Sequence, residues 1–177
     1  MAEAALSSKW LMRLLFAGLC LTLIFVQLLP LETTPRRWAG PDFMLVVTLA
    51  WAGRRPDIPS APLVAGLFLL ADFLLLRPPG LVAAIVVLAT EIQRSRAPRM
   101  RDATFASEWL NAAVLMIGIT ICYRIISALV LLPTPSLGLM LMQVMMNIAV
   151  YPLVVFISHI LFGVRRANVH DSAVGAN

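Results

Sequence analysis

Three long apolar runs, at about 10–31, 103–132 and 137–162, limit what this chain can fold into more than any other feature. The hydrocarbon core of a bilayer is about 30 Å thick and a helix rises about 1.5 Å per residue, so a span needs about 20 apolar residues. Each of the three runs is long enough. Shorter apolar runs lie between them, at about 41–53, 61–76 and 81–92. Proline and glycine fill most of the gaps, as chain breakers do.

A soluble domain is about 45–50% apolar and about 25% charged. This chain of 177 residues is 60% hydrophobic and 13% charged, with a mean hydropathy of +0.89. The expectation is an all-α integral membrane protein. It would form a single polytopic domain over 1–177, a compact bundle of about six transmembrane helices with both termini cytoplasmic. Residues 1–9 would form a cytoplasmic N-terminal tail and 163–177 a disordered cytoplasmic C-terminal tail. The runs at 61–76 and 81–92 also fit a re-entrant hairpin turning at Arg77-Pro78-Pro79-Gly80, because segments this short can dip without crossing. Six spans is the preferred reading.

The cations orient the bundle. With the N-terminus in the cytoplasm, Lys9, Arg13, Arg54, Arg55, Arg94, Arg96, Arg99, Arg101, Arg165 and Arg166 all fall inside, while Arg36, Arg37 and Arg77 fall outside. That is the positive-inside bias, and it accounts for the net charge of +5. A nucleic-acid partner is not expected, since no basic surface is interleaved with aromatics. Arg94, Arg96, Arg99 and Arg101 form a basic loop that is a candidate contact for anionic lipids or a cytoplasmic protein. Trp10, Trp38, Trp51 and Trp109 lie near run ends, where an aromatic belt would place them. The first run has a basic start, but "VQLLPLETT" offers no small-residue cleavage site, so it reads as an uncleaved span.

Asp72, Arg124 and Asn147 are the polar groups that cost most inside a bilayer. A charge near a helix centre costs about 2.5–3.5 kcal/mol on insertion scales, so it faces a partner or a cavity. All three fall at similar depth in the outer half of their runs. The expectation is that Asp72 pairs with Arg124, with Asn147 nearby. The group would either lock three helices together or form a ligand site. Tyr151 follows Asn147 by one helical turn, just before Pro152. That proline frees a carbonyl which some nearby polar group must satisfy. Glu91 and Arg94 stand at a spacing that pairs on a helix.

The remaining reactive side chains point to packing. Cys20 and Cys122 sit inside apolar runs and read as small buried hydrophobes. His159 and His170 are too far apart to suggest a metal site. Met140, Met142, Met145 and Met146 read as gap-filling rather than as a cofactor box. No G-x-S-x-G, H-E-x-x-H or P-loop is present, so neither an enzyme nor a cofactor is expected.

Several short motifs together resemble the MreD family, the small multi-span subunit of the bacterial rod-shape complex. Pro41-Asp42-Phe43 opens the second run. Gly66 and Asp72 lie in "GLFLLADFLLL", with Gly80 following. Asn147 then precedes Tyr151-Pro152 in the last run. The chain departs from the family after Asp72, where "FLLLRPPGL" replaces small residues and keeps only Gly80. The resemblance implies a non-enzymatic protein of the bacterial inner membrane that pairs with MreC, a one-span periplasmic protein. It also implies association with the RodA glycosyltransferase and its transpeptidase, and indirectly with MreB, in maintaining cell shape during peptidoglycan synthesis. The family's six spans are thought similar in fold to the substrate-binding subunits of energy-coupling vitamin transporters, which is the alternative reading. Against it, the first span lacks the Ala-x-x-x-Ala pattern by which those subunits often dock. Gly18 and Thr22 offer a small-residue surface there instead.

Overall fold

The computed structural model describes residues 2–29, 38–100 and 104–162. These form α1 (Ala2–Leu28), α2 (Phe43–Arg54), α3 (Ala61–Leu74), α4 (Leu81–Arg96), α5 (Phe105–Leu129) and α6 (Leu137–Phe162), with one 3₁₀ turn over Ala97–Met100. The described residues are all-helical, and each helix lies on one of the six apolar runs. α1 reaches back to Ala2, so the segment expected as an N-terminal tail continues the first helix. The tail over 163–177, with Arg165 and Arg166, and also Arg36, Arg37 and Arg101, lie outside the described residues.

Local chemistry sets most helix ends. Asp42 caps α2, its Oδ1 accepting from the Leu45 amide at 3.1 Å. Pro62 sits in the first turn of α3, where its missing N–H costs nothing. α3 and α5 end alike. Each closes with an amide returning to a carbonyl five residues back, Arg77 to Asp72 and Leu132 to Ser127, both at 2.9 Å. The residue that makes each reversal has positive φ, Leu76 at 54° and Leu131 at 56°. Glycine is the usual occupant of that position, and a branched side chain there costs about 1–2 kcal/mol. A proline follows in both loops, Pro78 and Pro133, and prevents the helix from continuing.

Among the described residues, three helical segments are long and apolar enough to cross a membrane: Lys9–Leu28 in α1, and the whole of α5 and α6. α2, α3 and α4 have 12, 14 and 16 residues, or about 18, 21 and 24 Å. α2 lies inside, while α3 and the three long helices carry exposed apolar faces. α2 is buried without a break from Met44 to Ala52 and touches α1, α4, α5 and α6. An apolar helix with no polar face fits only such a place. α3 packs mainly on α4. The long helices turn large apolar side chains outward, among them Leu14, Phe25, Ile125, Leu141 and Phe156.

One tryptophan departs from the expected belt. Trp10, Trp38 and Trp109 are exposed, but Trp51 is fully buried. It lies between Phe16 at 5.4 Å and Phe162 at 5.5 Å, and its indole N–H donates to Ser158 Oγ at 3.1 Å. A position at the end of an apolar run suggests the interface. The helix that carries Trp51 is too short to bring that end out of the core.

The two native cysteines test this arrangement. Cys20 is buried in the core and Cys122 faces outward from α5. An apolar maleimide should modify Cys122 in gentle detergent and reach Cys20 only after denaturation. Equal labelling rates, read by mass spectrometry, would contradict the packing of α1.

Candidate functional site

Asp72, Arg124, Asn147 and Tyr151 do not converge on one cluster. The expected pair of Asp72 with Arg124 is replaced by separate contacts. Asp72 is buried in the last turn of α3, and its Oδ2 accepts from the backbone amides of Gly80 at 3.1 Å and Ala83 at 3.3 Å. It therefore caps α4 from the preceding helix. Gly80, at the N-cap position with φ +82°, has no side chain to do so. A carboxylate also suits the positive end of a helix dipole. Asp72 Oδ1 has no hydrogen-bond partner among the described residues. Arg124 turns instead to the loop after its own helix, with Nη1 3.2 Å from the Pro135 carbonyl, 3.4 Å from Thr134 Oγ1 and 3.3 Å from Met140 Sδ.

Asn147 fastens α6 to the start of α2. Its Oδ1 accepts from the Asp42 amide at 2.7 Å. Arg77, from the loop between α3 and α4, lies 3.8 Å from Asp42 Oδ2. Pro41-Asp42, the loop after Asp72 and Asn147 thus meet at one end of the bundle. Next to them is a cavity of about 280 Å³. Asp42, Arg77, Thr120, Tyr123, Gln143 and Asn147 supply its polar lining. Leu45, Phe68, Val86, Ile119 and Val144 are among its apolar walls. Neither Asp72 nor Arg124 lines it.

Tyr151 belongs to a second polar group toward the other end. Its hydroxyl donates to Glu108 Oε1 at 3.2 Å. Arg54 grips the same carboxylate with both arms of its guanidinium, Nε to Oε1 at 2.8 Å and Nη2 to Oε2 at 3.1 Å. The Arg54 and Glu108 side chains are 14% and 4% exposed. This two-pronged geometry is the strongest that a charge pair offers. Beside it Gln93 accepts from the Asn111 amide, and Arg96 Nη1 donates to Asn111 Oδ1 at 2.8 Å. A Cβ on Gly53 would stand 2.7 Å from Gln93 Nε2, so a side chain there would push the Gln93 amide out of its present place. Sequence reading missed Arg54, Glu108, Gln93, Asn111 and Gly53 as a group. Only the presence of a glutamate near the start of a long apolar run gave a signal.

The basic loop is partly used up inside the molecule. Arg94 pairs with Glu91 at 2.8 Å, as the spacing suggested, and also donates to the Pro56 carbonyl at 2.9 Å. Arg96 holds Asn111. The Arg99 side chain and Arg101 lie outside the described residues. Among the motif positions, Gly66 faces open space where a Cβ would meet nothing within 4 Å. Pro152 does what its chemistry requires. It leaves the Ile148 carbonyl without its helical donor, and the Trp109 indole N–H of α5 fills the gap at 2.9 Å.

Among the described residues, no three His, Cys, Asp or Glu side chains converge to hold a metal ion. No family model, no characterised protein and no solved structure matches the chain.

Asp72→Ala should destabilise the protein by about 1–2 kcal/mol through loss of the α4 cap, and Asp72→Asn by less, since an amide oxygen still accepts. Combining Asp72→Asn with Arg124→Gln should be additive within about 0.5 kcal/mol. Equilibrium unfolding in detergent measures this. A larger coupling would place the two side chains in contact.

Proposed function

We propose that this chain is a non-enzymatic membrane scaffold of the MreD type. In this reading it lies in a bacterial inner membrane as six spans with both termini cytoplasmic, α2, α3 and α4 crossing with the help of their flanking loops. It pairs with MreC and, with RodA and its transpeptidase, links MreB to sidewall peptidoglycan synthesis. The observation that supports the reading best is the bond between the Asp42 amide and Asn147 Oδ1, which joins two motif segments 105 residues apart. Arg77, from the stretch where the chain departs from the family, reaches the same point through Asp42. Asp42 and Asn147, two of the residues that carry the resemblance, therefore tie α2 to α6 at one end of the bundle.

A scaffold needs rigid helices with partner-accessible faces. The outward apolar faces of α1, α5 and α6 provide them, and a partner's single span could pack there by close contact rather than by exclusion of water. The cavity beside Asn147 is the observation that favours the second reading, the substrate-binding subunit of an energy-coupling transporter.

Deletion of the gene separates the two. The scaffold reading expects a rod-shaped host to become round or swollen with vitamin uptake intact. Purification of the tagged protein in gentle detergent should bring down a one-span periplasmic protein and cell-wall synthases. Rods of normal width, with a transporter ATPase among the co-purified proteins, would replace this reading with the second.

A further inference from the structure

We propose that the cavity between α2, α4, α5 and α6 binds one amphiphile, with an anionic head at Arg77, Gln143 and Asn147 and hydrocarbon along Phe68, Val86 and Ile119. This goes beyond the scaffold reading and does not rest on it.

The inference comes from an imbalance in the lining. Asn147 Oδ1 is committed to the Asp42 amide at 2.7 Å, which fixes the orientation of its side-chain amide and leaves both N–H groups of Nδ2 available. Asp42 Oδ1 is committed to the Leu45 amide. Among the described lining residues, the anionic atom left over is Asp42 Oδ2, and Arg77 meets it at 3.8 Å, too long for a hydrogen bond. The Gln143 side chain and the Tyr123 hydroxyl, which offer one acceptor oxygen each beside their three N–H and O–H donors, make no hydrogen bond among the described residues, while Thr120 spends its own on the Met116 carbonyl. Donors therefore exceed acceptors around a half-buried space. Such a site takes an acceptor-rich group, and a carboxylate or phosphate satisfies a guanidinium and amides best.

The rest of the lining selects the other half of the ligand. Phe68 and Val86 are almost or fully buried, and Leu45, Ile119 and Val144 nearly so. They give an apolar wall that hydrocarbon fills and a sugar or amino acid would not. A volume of about 280 Å³ stands at the lower edge of ligand pockets, which run from about 300 to 1,000 Å³. One head group with a short stretch of chain fits; a whole phospholipid would have to leave its remaining chain outside. The shared chemistry, an anionic head on an apolar body, belongs both to membrane lipids and to soluble apolar acids.

Native mass spectrometry of the full chain in gentle detergent distinguishes the sources. The probes are dioleoylphosphatidylglycerol, decanoate and, as the zwitterionic control, dioleoylphosphatidylcholine. At least one anionic probe should be retained, at one molecule per chain. Retention of phosphatidylglycerol alone identifies a membrane lipid, and of decanoate alone a soluble acid; either result, or both, upholds the site. Arg77→Gln, which removes the cation, and Val144→Phe, which fills the space, should each lower retention about tenfold. Gln143→Leu removes a donor without touching the Asp42 contact and should act in the same direction, so the test survives if another variant fails to fold. Retention of neither anionic probe would overturn the proposal. So would equal retention of phosphatidylcholine, or retention that folded Val144→Phe and Gln143→Leu leave unchanged, which would mark lipid bound on the outer surface.

Discussion

The structure depends on how a short helix, apolar but for Thr48 and its terminal Arg54, is held inside a bundle of longer ones. α2 has 12 residues and no polar face, so apart from the bond of the Trp51 indole to Ser158 its sides offer only apolar packing. Polar contacts at its two ends fix its height and rotation. At the start, the Asp42 amide is held by Asn147. At the finish, Arg54 is gripped by Glu108, with Tyr151 on the same carboxylate. In an apolar interior neither charge of that pair can be left alone, and removing one partner of a buried pair costs about 3–5 kcal/mol. The contact therefore works more as a register pin than as a source of net stability.

α6 reads the length of α2. Asn147, Tyr151 and Ser158 follow at spacings of four and seven residues, which keeps them on one face of a helix. Each reaches a different point: the amide of Asp42, the carboxylate that holds Arg54, and the indole of Trp51. The two helices run in the same direction. From Asn147 to Ser158 is about 16 Å and from Asp42 to Trp51 about 14 Å, so the contacts stay nearly level. Pro152 interrupts this face without loosening it, because Trp109 from α5 takes the carbonyl that the proline frees. The result is a platform fixed along its centre, with its free surfaces on the outer helices and in the cavity by Asn147.

The helices were legible in the sequence because apolar runs and prolines leave little choice in where they begin and end. The partners of the polar residues were much less so. Asp72 and Arg124 have opposite charge and similar depth, which suggested a pair, but depth says nothing about direction around a helix. The partners of Asp72 are backbone amides of the next helix, and no side-chain inventory contains those. Arg54 was counted among the topology charges and Glu108 belonged to the start of a long run. They meet because α2 ends inside the bundle, which no run length on its own specifies. The need of Pro152 for a donor was legible, whereas the identity of Trp109 as that donor was not. Tyr151 shared a face with Asn147 as expected, yet one helical turn was enough to put it in a different polar group.

The most direct test of the central claim is a double-mutant cycle between Arg54 and Glu108, read by equilibrium unfolding in detergent. Glu108→Gln removes the charge and keeps an acceptor for Tyr151. Each single variant should be strongly destabilising and the double variant should recover part of the loss, with a coupling of about 1–3 kcal/mol. Additivity within about 0.5 kcal/mol would mean that Arg54 and Glu108 do not hold the end of α2, and the pinned central helix would have to be abandoned.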